Sequence, residues 1–199
     1  MSIALDKCGA VILAGGDSRR MGRCKALLTI EGKTMVERLR EELGDFDPIY
    51  LAANSPIPGE GLIRVEDVYP HAGPLGGLHA ALLATGREAL FCVPCDLPNF
   101  TRRLPELLAR SMPHWAQAVI CRDQGLRLHP LCGIYRRSLL PQLEECLSQG
   151  RRRVMDLLDK VPYTVLDVGQ ELPREVFFNM NTPQDYQTAL ERFRFVEKP

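Results

Sequence analysis

The sequence predicts an α/β fold, a mostly parallel sheet with helices on both faces. Short apolar runs alternate with amphipathic segments from residue 10 to the C-terminus, the pattern of strands joined by crossover helices. The first run, Ala10–Leu13, passes directly into a glycine loop, and in such sheets ligands bind beyond the carboxyl ends of the strands. The chain has 199 residues, 45% of them hydrophobic, enough to fill the core of one domain spanning 1–199.

Ala10–Leu13 reads as the first buried strand. Thr34–Leu43 reads as a helix, with Met35, Leu39 and Leu43 on one face and glutamate and arginine on the other. Pro48–Ala53 and Leu62–Val65 read as strands. Leu75–Ala84 reads as a helix opened by Gly73-Pro74, and Ala89–Val93 as a strand. Arg103–Ser111 is expected to be helical with Leu104, Leu107 and Leu108 inward. Ala116–Cys121 and Leu131–Tyr135 are expected strands, Ser138–Leu147 and Val154–Leu158 helices, and Tyr163–Val168 a strand. A last helix runs to about Arg194, with Thr182 as N-cap and Pro183 in the first helical position. No internal repeat, low-complexity tract or linker interrupts this order.

Lysine plus arginine number 25, as do aspartate plus glutamate, so the formal net charge is zero. That balance argues against a general nucleic-acid or membrane binder. Met1–Lys7 lacks the cationic head and apolar stretch of a signal peptide, and no run approaches 18 apolar residues. Seven cysteines, an odd number, are scattered through apolar segments; a reducing, cytoplasmic setting is expected. Cys92 and Cys95 form a C-x-x-C, but a zinc site would want a second pair at matching spacing. They sit across the strand Ala89–Val93 and its end, so strand packing is the expected role.

Positive charge is concentrated instead in one place. Leu13-Ala14-Gly15-Gly16-Asp17-Ser18-Arg19-Arg20-Met21-Gly22-Arg23-Cys24-Lys25 places a glycine turn and four cations directly after a buried strand. Glycine lets backbone N–H groups approach a ligand, and the cations suit a polyphosphate. The spacing is neither that of the P-loop nor that of the dinucleotide fingerprint. A plain glycine turn with a solvated basic rim therefore remains open on spacing alone.

Four further places carry candidate chemistry. Asp96 follows a strand and sits in Pro94-Cys95-Asp96-Leu97-Pro98; a carboxylate held there either binds Mg²⁺ or accepts local N–H bonds. His71-Ala72-Gly73-Pro74-Leu75-Gly76-Gly77-Leu78-His79 offers glycines and a helix N-terminus to a flat ligand, or simply starts a helix. Asn54 and Asp67 end strands and either cap turns or face a ligand. Asn179 and Asn181, in Phe178-Asn179-Met180-Asn181-Thr182-Pro183, either shape a turn or border a site. His71 and His79 carry no assignment, and Arg151-Arg152-Arg153 reads as a solvated face.

The stretch Leu13–Lys25 resembles the signature loop of nucleotidyltransferases that use a nucleoside triphosphate and release pyrophosphate. Within them it is most similar to the molybdenum cofactor guanylyltransferases, whose loop reads Leu-Ala-Gly-Gly, Arg-Met-Gly and Lys. Cys95-Asp96-Leu97-Pro98, Gly73-Pro74-Leu75, Pro130-Leu131-Cys132-Gly133-Ile134-Tyr135 and Asn179-Met180-Asn181-Thr182-Pro183 match further motifs in the expected order. The resemblance implies a single Rossmann-like nucleotidyltransferase domain with a mixed sheet that includes one antiparallel strand. It implies GMP transfer from GTP to the terminal phosphate of molybdopterin. Lys25, Arg19 and Asp96 are the catalytic candidates, with Asp96 holding Mg²⁺. Leu13, Ala14, Gly15, Gly16, Lys25, Asn54, Asp67, Gly73, Gly77 and Asp96 are nucleotide-binding candidates. Asn179, Asn181 and His129 are candidates to face the second substrate. Transient contact with apo-molybdoenzymes or pterin-delivering proteins is also implied.

One position departs from the family, which usually carries aspartate just before its lysine; here it is Cys24. That departure keeps open a non-catalytic carrier of the dinucleotide cofactor. A cytidylyl relative using CTP is the nearest enzymatic alternative. Such relatives tend to read Leu-Ala-Ala-Gly and Asp-Gln-Pro, so Gly15 and Leu97 favour GTP.

Overall fold

Cys8–Leu13 forms strand β1, and all six of its residues are buried. Burial on both faces is why this strand reads as a continuous apolar run. The computed structural model describes residues 2–15, 24–69 and 71–196. A two-stranded ribbon follows, β2 (Thr29–Ile30) and β3 (Lys33–Thr34), and leads into helix α1 (Met35–Glu42). Strands β4 (Ile49–Ala52) and β5 (Ile63–Val65) precede α2 (Pro74–Ala84), and β6 (Ala89–Pro94) precedes α3 (Arg103–Ser111). Then come β7 (Ala118–Arg122), β8 (Leu128–Arg136), α4 (Leu140–Ser148), α5 (Val154–Leu158), β9 (Tyr163–Asp167) and α6 (Pro183–Val196).

Seven strands make one sheet in the order β5-β4-β1-β6-β8-β7-β9. All neighbouring pairs are parallel except those made by β8, which runs against both β6 and β7. This is the mixed sheet that the resemblance implied, with β8 as its antiparallel strand. From β1 the chain builds outward through β4 to β5, then returns to the other side of β1 with β6. The strand order therefore reverses between β1 and β6, and their carboxyl ends flank the crevice that binds ligands in open α/β sheets.

The period of two along β1 sends alternate residues into different layers. Ala10 and Ile12 pack with Val36 and Leu39 of α1 and Leu104 and Leu108 of α3. Val11 and Leu13 pack on the other face with Leu75, Leu78 and Leu82 of α2, Leu143 of α4 and Leu157 of α5. Each such leucine contributes on the order of 1.5–3 kcal/mol by leaving water. A third, smaller cluster joins Leu28, Ile30 and Met35 to Met180 and to Ala189 of α6. That cluster fastens the C-terminal segment onto the ribbon.

Helix α1 begins at a full capping box: Thr34 accepts the Glu37 N–H, and the Glu37 carboxylate accepts the Thr34 N–H. The expected elements are all present, with shifted ends. β1 starts at Cys8, and β8 begins three residues before Leu131 and ends one residue after Tyr135. A short 3-10 turn, Arg137–Leu139, takes up the start of the helix expected from Ser138. The ribbon β2–β3 and the 3-10 turn Arg174–Phe177 are additions. Among the described residues no helix is long and apolar enough to cross a membrane.

Candidate active site

The site is assembled at the carboxyl edge of the sheet from three loops far apart in sequence. The first leaves β1. Leu13 is buried, its carbonyl accepts the Cys95 N–H at 3.0 Å, and the Ala14 N–H donates to the Ala52 carbonyl at 2.9 Å. These bonds fix the start of the loop between β4 and β6. Gly15 is exposed, and a Cβ there would meet open space. Gly16, Arg19, Arg20 and Arg23 lie outside the described residues. The loop is described again at Cys24, and Lys25 opens a 3-10 turn, Lys25–Leu27.

The second loop follows β6. Asp96 stands two residues past the strand's end, and one of its oxygens accepts from Lys25 Nζ at 3.0 Å. The third is the segment before α6. Asn181 Oδ1 accepts from the same Lys25 Nζ at 2.8 Å, and the Met180 N–H donates to the backbone carbonyl of Asp96 at 2.9 Å. One ammonium thus joins three parts of the chain. The Lys25 and Asp96 side chains are 20% and 19% exposed, so both are open to a ligand yet partly shielded from water. Partial shielding strengthens their effect on a charged ligand.

The expected nucleoside residues fall on the β4–β5 side of the same edge. Asn54 Nδ2 donates to Asp67 Oδ2 at 3.1 Å. Gly73, exposed at the N-terminus of α2, has φ 62° and open space where a Cβ would stand, a conformation that glycine adopts without strain. Gly77 is buried, and a Cβ there would stand 2.8 Å from Ala52 Cβ and 2.9 Å from Leu13 Cδ2. The lack of a Cβ lets α2 pack closely on β1 and β4. Gly76 does the same for Asp67, whose Cγ would lie 2.9 Å from an added Cβ.

Asn179 is half-buried beside Met180, on the segment that carries Asn181. His129 lies on β8 at this edge but is 8% exposed. Its Nε2 pairs with Asp123 Oδ2 at 2.9 Å and its ring stacks on Phe177 with centroids 4.1 Å apart. One ring nitrogen and one ring face are thus engaged by the protein, which leaves little of His129 to meet a second substrate. His79 is likewise buried, 3.5 Å from Glu144, while Arg151, Arg152 and Arg153 are exposed.

Cys92 and Cys95 are free and buried, and burial pushes the Cys95 thiol up to about 12. The two thiols pack into different core layers, Cys92 with α2 and Cys95 with α1 and α3. Among the described residues no three His, Cys, Asp or Glu side chains gather as metal ligands. Mg²⁺ needs no such cage, since it keeps waters and takes one or two carboxylates together with substrate phosphates. Asp96 fits that use: a hard oxygen donor at a strand end, with an ammonium against one oxygen.

Sequence reasoning missed Asp185. Its carboxylate accepts the N–H groups of Asn181 at 2.9 Å and Thr182 at 2.8 Å. The signal was present as Thr182-x-x-Asp185, a capping-box spacing.

A family model described as the MobA-like NTP transferase domain matches residues 10–161. A probable molybdenum cofactor guanylyltransferase from Carboxydothermus hydrogenoformans is 33% identical over 192 residues, covering 94% of this chain and 96% of that protein. A molybdenum cofactor guanylyltransferase from Photobacterium profundum is 31% identical, covering 89% of this chain and 92% of its own. Among solved structures, molybdopterin-guanine dinucleotide biosynthesis protein A from Archaeoglobus fulgidus superposes with a TM-score of 0.77 at 24% identity, covering 94% of this chain and 99% of its own. With that fold, that loop order and those relatives, the chain belongs to the molybdenum cofactor guanylyltransferase family and carries its MobA-like NTP transferase domain.

Proposed function

We propose that this protein transfers GMP from GTP to the terminal phosphate of molybdopterin, releasing pyrophosphate. The observation that carries the reading is Lys25 Nζ held between Asp96 and Asn181 at the crevice between β1 and β6. An acidic, a cationic and an amide group converge there from three loops, where the fold binds its ligand.

In this reaction an oxygen of the pterin phosphate forms a bond to the α-phosphorus of GTP. The bond from that phosphorus to the bridging oxygen of the leaving pyrophosphate breaks. Such transfer asks for positioning and charge neutralisation rather than covalent help from the protein. Lys25 neutralises charge on the triphosphate and on the departing pyrophosphate, and Arg19 is assigned the same part. The amides of Gly15 and Gly16 cradle phosphate oxygens. Asn54, Asp67 and the exposed backbone at Gly73 face the nucleoside. Asp96 is the residue that would hold Mg²⁺, which would supply positive charge to offset that of the phosphates. The proposed unit is the whole chain as one domain acting in the reducing cytoplasm, because the segment after residue 161 supplies Asn181.

The test is a titration of metal-stripped protein with GTP and with CTP, each with and without Mg²⁺, followed by turnover with molybdopterin. Mg²⁺-dependent preference for GTP and release of pyrophosphate are the expected results. Preference for CTP would reassign the base, and binding of neither nucleotide would overturn nucleotidyl transfer.

A further inference from the structure

Two helices of this protein start with the same device, but at α6 it reaches one residue further. At α1 the Glu37 carboxylate accepts the N–H of its N-cap, Thr34, at 2.7 Å, and the Glu37 N–H donates to Thr34 Oγ1 at 3.2 Å. At α6 the Asp185 carboxylate accepts the Thr182 N–H at 2.8 Å, and the Asp185 N–H donates to Thr182 Oγ1 at 3.2 Å. Both are reciprocal caps. The same Asp185 oxygen also accepts the N–H of Asn181, at 2.9 Å. Asn181 is exposed, and its Oδ1 takes the Lys25 ammonium.

We infer that Asp185 is a positioning residue for the transfer reaction: by holding the Asn181 backbone it aims Asn181 Oδ1 at Lys25 and so sets where the lysine stands beside Asp96. The neighbours of Asn181 support this. On one side, Met180 is fully buried and its N–H donates to the Asp96 carbonyl at 2.9 Å. On the other, Tyr186 OH donates to the Thr29 carbonyl at 2.7 Å, joining α6 to the segment that carries Lys25. Asn181 lies between those two anchors, and the Asp185 bond fixes the backbone from which its side chain projects. Small misplacements of a catalytic group cost on the order of 100-fold in rate. The inference rests on the transferase reading, and goes beyond it by giving a part to a residue outside the matched domain.

The experiment compares wild type, Asp185→Ala, Asn181→Ala and the double variant for GMP transfer, with Glu37→Ala as the matched loss of a cap elsewhere. Asp185→Ala is expected to lower kcat about 10- to 100-fold with less than about a threefold change in the KM for GTP. The double variant should then be no slower than Asn181→Ala, because Asp185 acts through Asn181. Glu37→Ala should lose comparable thermal stability and keep its turnover. Multiplying losses in the double variant, or full turnover in Asp185→Ala, would overturn the inference while leaving the transferase intact.

A second readout needs no turnover and uses Asp185→Leu, which has no acceptor oxygen but keeps the side-chain bulk, should the alanine variant not fold. Lys25→Met is expected to shift the Asn181 side-chain amide resonance in wild type. In an Asp185-substituted chain that shift should be reduced at least twofold. An undiminished shift would overturn the inference even if wild type transferred no GMP, a failure that would fall on the transferase reading alone.

Discussion

Lys25 Nζ donates to Asp96 Oδ2 at 3.0 Å across 71 residues of sequence, with each side chain about one-fifth exposed. A partly shielded charged hydrogen bond contributes about 1.5–3 kcal/mol, so near-isosteric removal of it should still leave the chain folded. Lys25→Met and Asp96→Asn are each expected to lower the melting temperature by no more than about 12 °C. Their turnover should fall about 100- to 1,000-fold, the usual cost of losing a group that stabilises developing charge. Melting curves and steady-state pyrophosphate release check both. Wild-type turnover in Asp96→Asn would remove Asp96 from the chemistry.

Cys24 is half-buried beside Lys25, whereas the other six cysteines are buried. Burial pushes the thiols of Cys8, Cys95 and Cys121 up to about 12. At pH 8 such a thiol is far less ionised than an ordinary cysteine, and the thiolate is the reactive form. Native protein should therefore take up iodoacetamide at Cys24 alone, and all seven thiols should react in urea. GTP should slow the native reaction, because Cys24 precedes Lys25, the lysine proposed to meet the triphosphate. Peptide mass mapping locates the label, and rapid labelling of Cys95 would contradict the geometry.

The layers of the fold were legible because their residues repeat the correct periods. Ala10 and Ile12 alternate with Val11 and Leu13 between two cores, and Thr182-Pro183 marks the start of α6. The ribbon was not, since β2 and β3 have two residues each, too few to show a period. Its trace is Glu31-Gly32, both at positive φ, 53° and 77°, a two-residue hairpin turn. Asp96 was legible as a carboxylate at a strand end. Its meeting with Lys25 and Asn181 was not, because no local spacing encodes contacts across 71 and 156 residues; the resemblance supplied the candidates and the fold supplied the contact. Gly77 shows a second demand that its motif did not reveal, since its missing Cβ is needed by Leu13.

That packing gives two glycines opposite signatures. Gly77→Ala would place a Cβ 2.8 Å from Ala52 Cβ, and overpacking of this kind costs about 1–3 kcal/mol. It should lower the melting temperature by about 2–4 °C per kcal/mol and weaken GTP binding by moving Leu13. Gly15→Ala meets open space, so its melting temperature should match wild type while GTP affinity falls as the phosphates are held off the loop. Thermal scans and GTP titrations on both variants separate the cases. Unchanged GTP affinity in Gly15→Ala would remove that residue from the phosphate site.

His129 and Asp123 make stability depend on pH in a direction the geometry fixes. Burial holds the His129 imidazole below its ordinary range, outweighing the pull of the Asp123 carboxylate. Burial also pushes Asp123 up, but hydrogen bonds from His129 and from the N–H groups of Arg127 and Gly125 prevail and hold it low. The folded protein thus keeps a neutral imidazole donating to an ionised carboxylate. For the histidine, the unfolded chain binds the proton first, so stability is full above about pH 6.5, the unfolded value, and falls as pH drops below it. The Asp123 contribution is present above about pH 3.9 and is lost only under stronger acid. Wild type should therefore lose melting temperature from about pH 6.5 to pH 5. His129→Phe keeps a ring against Phe177 and removes the titrating group, so its curve should be flatter across that window. Two parallel curves there would show that His129 does not carry the acid sensitivity.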